Sequence, residues 1–177
     1  MRLRMTLAAA LCCALMTGCP GKNDAGNKSS EKAGDTNTTA AAPAAASHKP
    51  LPSTPPNMTG EAPKPDLSKV KLPDGVTPEM VELGRQVWMG KAGGGSCYTC
   101  HGMDAKGSML APDQTDNEWL HGDGSYEAIL ATVKKGVPAA ELKAAQAPMP
   151  PMGGANLDDQ HLKAVAAYVY AISHSGN

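Results

Sequence analysis

The sequence predicts an all-α fold, of about three to five helices, for its second half, from about residue 76 to residue 177. Two observations carry this prediction. Three segments there place apolar residues at helical spacing, with capping residues at their ends. No segment alternates apolar and polar residues in the way that a half-buried strand does.

The first of these helices begins at Thr77, which can cap the backbone, and Pro78 suits its first helical position. The glycine-rich run at 90–95 ends it, because glycine disfavours a continued helix. The predicted buried stripe consists of Met80, Leu83, Gly84, Val87 and Trp88.

The second helix begins near Ser125 and ends at Lys134 and Lys135, just before Gly136. For the third helix, Asn156 and Asp158 are both suitable N-caps, and the sequence does not choose between them. The apolar stripe of this last helix consists of Leu162, Val165, Ala166, Tyr168, Val169 and Ile172.

Residues 1–18 are typical of an export signal. Arg2 and Arg4 precede a short apolar stretch, which has fewer than the about 20 residues that a membrane span needs. The stretch Leu15–Cys19 resembles a bacterial lipobox, in which the cysteine is lipidated after cleavage. This resemblance implies that Cys19 carries a lipid anchor; the alternative is an ordinary cleaved signal in which that cysteine occurs by chance.

Residues 19–75 are predicted to form a disordered linker between the lipid anchor and the folded part. They are rich in Ala, Pro, Ser, Thr and Asn and have few large apolar side chains, so they cannot bury enough surface to offset the entropy of ordering. The triplet Asn57-Met58-Thr59 matches a glycosylation sequon, and we expect it to have no role in a bacterial lipoprotein.

The charge of the chain disfavours nucleic acid as a partner. The whole chain has a formal net charge of −1. Residues 76–177 contain seven Lys and Arg against eleven Asp and Glu, which leaves −4. A mildly acidic domain does not attract phosphate backbones and weakly favours a partner with a basic face.

The segment Cys97-Tyr98-Thr99-Cys100-His101 carries the chemistry. Its Cys-x-x-Cys-His spacing is that of covalent haem attachment, with two thiols for the two vinyl groups and an adjacent imidazole for the iron. A structural zinc site would need a second pair of ligands, and the other cysteines are at 12, 13 and 19. A thioredoxin-like redox pair would need a βαβ context, and a disulfide would leave His101 unexplained.

With this motif, the chain resembles a class I cytochrome c and is similar to the c-type cytochrome subunit of bacterial terminal oxidases. The resemblance covers residues 76–177 and implies the cytochrome c fold around one covalently bound haem c. It also implies that the first helix crosses the last, with Gly84 and Trp88 against Val165 and Tyr168.

The resemblance further implies the residues around the iron. His101 is the ligand on one side, and the carbonyl of Pro112 accepts its Nδ1 hydrogen. A methionine from the Met-Pro segment before the last helix is the ligand on the other side. Met149 matches that position and is favoured, and Met152 is the alternative.

We therefore expect a membrane-tethered monohaem cytochrome that carries single electrons and has no catalytic residues of its own. Its expected partners are a redox donor and a redox acceptor that dock weakly and transiently. Its expected place is the periplasmic face of a bacterial membrane, either inner or outer. The alternatives are a haem enzyme, a gas or redox sensor with a labile distal ligand, and a subunit of an oxidase or dehydrogenase complex.

Overall fold

The computed structural model describes residues 49–145 and 147–176. The predicted signal peptide, Cys19 and the first part of the predicted linker lie outside these residues. The described part contains four α-helices: α1 (Pro78–Trp88), α2 (Tyr98–His101), α3 (Tyr126–Lys135) and α4 (Asp159–His174). Two short 3₁₀ helices, Ala139–Glu141 and Pro151–Gly154, lie between α3 and α4. The all-α prediction is confirmed for this part of the chain.

Side-chain caps explain where the long helices begin. The hydroxyl of Thr77 accepts a hydrogen bond from the Met80 amide at 3.3 Å, and that of Ser125 accepts one from Ala128 at 3.3 Å. The carboxylate of Asp158 accepts from the His161 amide at 2.9 Å. Of the two possible caps for α4, Asp158 is therefore the one used.

The crossing of α1 and α4 is the centre of the core. A Cβ atom at Gly84 would overlap the carbonyl group of Ala164, so only glycine allows the two helices to approach this closely. Next to this contact, the rings of Trp88 and Tyr168 pack edge to face with centroids 5.7 Å apart. Val165 is also fully buried here. These four residues are the ones that the resemblance implies for the crossing.

The structure corrects the linker prediction for residues 49–75, which we call the strap. The strap lies along the folded part and is ordered by contacts to it. The Tyr168 hydroxyl donates to the Pro63 carbonyl at 2.9 Å, and the Tyr170 hydroxyl donates to the Lys71 carbonyl at 3.2 Å. Ala62 is only 3% exposed. Because its backbone carbonyls supply these contacts, a composition poor in large apolar residues did not indicate that it packs.

Arg85 joins the strap to α1 from a buried position. Its guanidinium pairs with the Glu82 carboxylate through two contacts of 2.9 Å and donates to the Ala62 carbonyl at 3.4 Å. The hydrogen bonds from Arg85 to the Glu82 carboxylate lower the pKa of Glu82 to about 2, so the Arg85–Glu82 pair stays charged at neutral pH.

Within the described residues, no helix combines the length and the apolar character that a bilayer span requires.

The first prediction concerns the helix crossing. We expect Gly84→Ala to lower the free energy of unfolding by about 1–3 kcal/mol, because the added methyl group forces α1 and α4 apart. Urea denaturation of the full chain measures this. Gln86→Ala, on the same helix but away from α4, should change stability by less than about 0.5 kcal/mol. Equal effects of the two substitutions would contradict the close approach.

Candidate haem site

One large cavity, with a volume of about 370 Å³, opens between the helices. This volume is in the range of small-molecule sites. Its walls are mainly apolar and include Trp88, Ile129, Val133, Val165 and Val169. The five predicted cofactor-binding residues all line it: Cys97, Cys100, His101, Pro112 and Met149. The structure therefore brings together groups that are up to 52 positions apart in the sequence.

The short helix α2 holds the two cysteines. Cys97 is its N-cap and Cys100 follows three positions later, a spacing that places both side chains on one helix face. Both are free thiols. Desolvation raises the pKa of the Cys97 thiol to about 11, so it is protonated at neutral pH. Redox-active Cys-x-x-Cys pairs instead have a thiol with a lowered pKa, which argues against the thioredoxin-like redox pair.

His101, the last residue of α2, is held in one orientation by a backbone carbonyl. Its Nδ1 lies 2.9 Å from the carbonyl oxygen of Pro112, the contact that the resemblance implies. Because a carbonyl only accepts, Nδ1 carries the hydrogen and Nε2 keeps its lone pair. Desolvation also lowers the pKa of His101, which favours the neutral imidazole that ligates metals. The same carbonyl accepts a second hydrogen bond, from the Gln114 side chain at 3.2 Å.

Trp88 connects the helix crossing to the Cys-x-x-Cys-His segment. Its indole N–H donates to the Gly102 carbonyl at 3.2 Å, directly after His101 in the chain. Its ring centroid lies 5.6 Å from that of His101. Sequence analysis predicted only the packing of Trp88 against α4, and an apolar stripe gives no sign of this hydrogen bond.

The two candidate methionines differ in position. Met149 lines the cavity and is fixed by a backbone pair with Val137, whose two hydrogen bonds are 2.8 and 2.9 Å long. Met152 lies in a 3₁₀ helix with a φ of 54°, packs against the core, and is absent from the described residues that line the cavity. The geometry therefore favours Met149.

The segment between Val137 and Pro148 forms part of the cavity wall through Leu142 and Ala145. Sequence analysis did not assign these residues to the site. They lie between helices, where periodicity carries no information about burial. The indole of Trp119 and the imidazole of His121 also line the cavity.

The residues of this cavity fit a covalently bound haem c. Two cysteines, a histidine and a methionine line one mainly apolar cavity. Thioether and imidazole are the ligand pair of haem iron in cytochromes c, and the thiols have the spacing for attachment to the two vinyl groups.

Comparison with known proteins identifies related sequences. Residues 80–169 match the family described as Cytochrome C oxidase, cbb3-type, subunit III. The cbb3-type cytochrome c oxidase subunit CcoP of Rubrivivax gelatinosus is 40% identical over 78 residues, which cover 44% of this chain and 23% of the relative. The subunit FixP of Sinorhizobium medicae is 34% identical over 99 residues, which cover 54% of this chain and 28% of the relative. The chain thus spans about a quarter of the length of these curated relatives. No solved structure matches it.

The second prediction tests the role of Trp88. We expect Trp88→Phe to lower the free energy of unfolding by at least about 1 kcal/mol, because it removes the hydrogen bond to Gly102 and shrinks a buried ring. Tyr126→Phe removes only an exposed, long hydroxyl contact to the Lys163 carbonyl at 3.4 Å and should cost less than about 0.5 kcal/mol. Urea denaturation of both full-length variants decides the matter; a Trp88→Phe variant as stable as the parent would contradict the assigned contact.

Proposed function

The chain belongs to the family of cbb3-type cytochrome c oxidase subunit III, and we propose that its folded part is a c-type cytochrome that binds one haem c and carries single electrons. Membership confirms the resemblance to the cytochrome subunit of terminal oxidases. The observation that carries the proposal is the shared cavity that both cysteines, His101 and Met149 line.

Each of these residues has a definite task in the proposed site. Cys97 and Cys100 would hold haem through thioether bonds, and His101 Nε2 and Met149 Sδ would be the two iron ligands. When bound, haem c supplies reversible one-electron exchange between Fe(II) and Fe(III). The Pro112 carbonyl keeps the His101 ring in place, and the apolar walls keep water away from it.

Two arguments support the proposal that the protein binds a single haem and carries electrons without a substrate of its own. The 177 residues contain one Cys-x-x-Cys-His segment, and the other three cysteines lie in the predicted signal and lipobox. With His101 and Met149 both as ligands, the iron would have no open position for a substrate. The protein is therefore proposed to pass electrons and not to transform a molecule.

The names of its relatives guide the proposal for partners. CcoP and FixP are named as subunits of cbb3-type cytochrome c oxidases, which supports a place for this chain beside or within such an oxidase. Docking to a redox donor and acceptor is proposed to be weak and transient, as small electron-transfer interfaces are. Cys19 is proposed to carry a lipid that holds the protein at the periplasmic face of a bacterial membrane.

The third prediction tests the distal ligand. In the oxidised protein we expect Met149→Ala to abolish the charge-transfer band of Met-ligated ferric haem, because it removes the proposed sulfur ligand of a residue that lines the cavity. Met152→Ala is the matched control, three positions away, and should keep the band. Absorption spectroscopy of both variants gives the answer. The opposite pattern would assign the ligand to Met152.

The fourth prediction separates a carrier from a gas-binding sensor or haem enzyme. We expect the reduced parent protein to resist carbon monoxide, because His101 and Met149 would both ligate the iron. Met149→Ala should bind carbon monoxide readily through the opened position. Absorption spectra recorded during a carbon monoxide titration measure the binding by the parent and by the variant. Ready binding by the parent, together with a high-spin spectrum, would favour the sensor or enzyme.

A further inference from the structure

We propose that Asn57 of the strap is a positioning residue for the iron ligand His101: it holds the loop at 102–112 so that the Pro112 carbonyl stays on His101 Nδ1. This inference rests on the proposed function. It assigns a role in the site to a segment outside the residues 80–169 that match the family.

The strap binds this loop at several points. The Asn57 carbonyl accepts a hydrogen bond from the Met103 amide at 2.6 Å, and the Thr54 carbonyl accepts one from the Met109 amide at 2.8 Å. The side-chain amide of Asn57 donates to the Asp104 carboxylate at 2.8 Å. Both ends of the loop segment 103–109 are thus tied to the strap.

The side chain of Asn57 is itself oriented. Its Oδ1 accepts hydrogen bonds from the Thr59 amide at 3.0 Å and from the Thr59 hydroxyl at 2.9 Å. Its nitrogen is therefore directed at Asp104 Oδ2, while Asp104 Oδ1 accepts from the Lys106 amide at 3.2 Å. The Asp104 carboxylate thus links Asn57 to the backbone of the loop.

The loop contains no helix or strand, so from within it is held only by turn bonds such as that from the Gly107 amide to the His101 carbonyl at 2.9 Å. Contacts to α1 and α2 hold its start and middle: Trp88 donates to the Gly102 carbonyl, and the Ser108 hydroxyl donates to the Cys100 carbonyl at 2.6 Å. The loop ends at Pro112, whose carbonyl meets His101. A loop released from the strap will hold this carbonyl less firmly.

The strength of that hydrogen bond sets the electron donation of His101. A carbonyl that accepts the Nδ1 hydrogen makes the imidazole more basic, which stabilises the oxidised iron. Weakening it therefore raises the reduction potential. Trp88 and Ser108 hold the loop at Gly102 and Ser108, whereas the amides of Met103 and Met109 are held by the strap.

The test compares three full-length holoproteins of equal net charge: the parent, Asn57→Ala, and the exchange Asn57→Asp with Asp104→Asn. Equal net charge, with the carboxylate moved only as far as its hydrogen-bond partner, keeps the Coulomb effect on the potential small. The exchanged pair restores a hydrogen bond between the same two positions with donor and acceptor reversed. The carboxylate that Asn57→Asp introduces also still accepts from Thr59, as aspartate does in such turns.

Asn57→Ala removes the bond to Asp104 and the two bonds from Thr59. We expect it to shift the reduction potential in the positive direction and to raise amide hydrogen exchange at Met103 by at least about fivefold. The exchanged pair should return both values to those of the parent. Ser68→Ala, which removes the hydroxyl bond to Asp66 elsewhere on the strap and leaves Asn57 and Asp104 untouched, should shift neither. If Asn57→Ala does not accumulate, Asn57→Ser takes its place in the test. A serine at position 57 leaves the net charge unchanged, and its side chain is too short to reach Asp104.

A holoprotein with Asn57→Ala whose potential equals that of the parent overturns the inference, and so does an exchanged pair that restores nothing. A parent protein that contains no haem refutes the proposed function instead. The two failures are therefore distinguishable.

Discussion

The hydrogen bond between His101 Nδ1 and the Pro112 carbonyl, 2.9 Å long, is the contact on which the rest of the site depends. It fixes the tautomer of His101 and leaves Nε2 available to a metal. The remaining structure keeps the two partners in place: α2 holds His101, and the loop that ends at Pro112 is held by α1 and by the strap.

The helix crossing explains how so few aromatic residues support this arrangement. Aromatic side chains are 3% of the chain, and phenylalanine is absent from the sequence. The close approach at Gly84 lets Trp88 and Tyr168 pack between α1 and α4, and α4 buries mainly small and aliphatic side chains. Trp88 also forms part of the cavity wall, so the centre of the core and the site share one side chain.

The sequence was sufficient for the features that depend on local patterns. The three long helices follow from apolar spacing and from caps such as Thr77 and Ser125, and the Cys-x-x-Cys-His segment is recognisable by spacing alone. The strap was not predictable, because it is anchored through its own backbone carbonyls and through side chains that are 23 to 105 positions away. The resemblance already favoured Met149 over Met152, but the backbone pair with Val137 that fixes Met149 is not indicated by any local pattern.

The central claim is that one haem is joined covalently to Cys97 and Cys100, and the mass of the denatured protein tests it most directly. The full chain is produced in a host that matures c-type cytochromes, purified and unfolded before mass spectrometry. The mass should exceed that of the processed polypeptide with its N-terminal lipid by one haem, which stays attached after unfolding. A mass with no such increase would contradict the account.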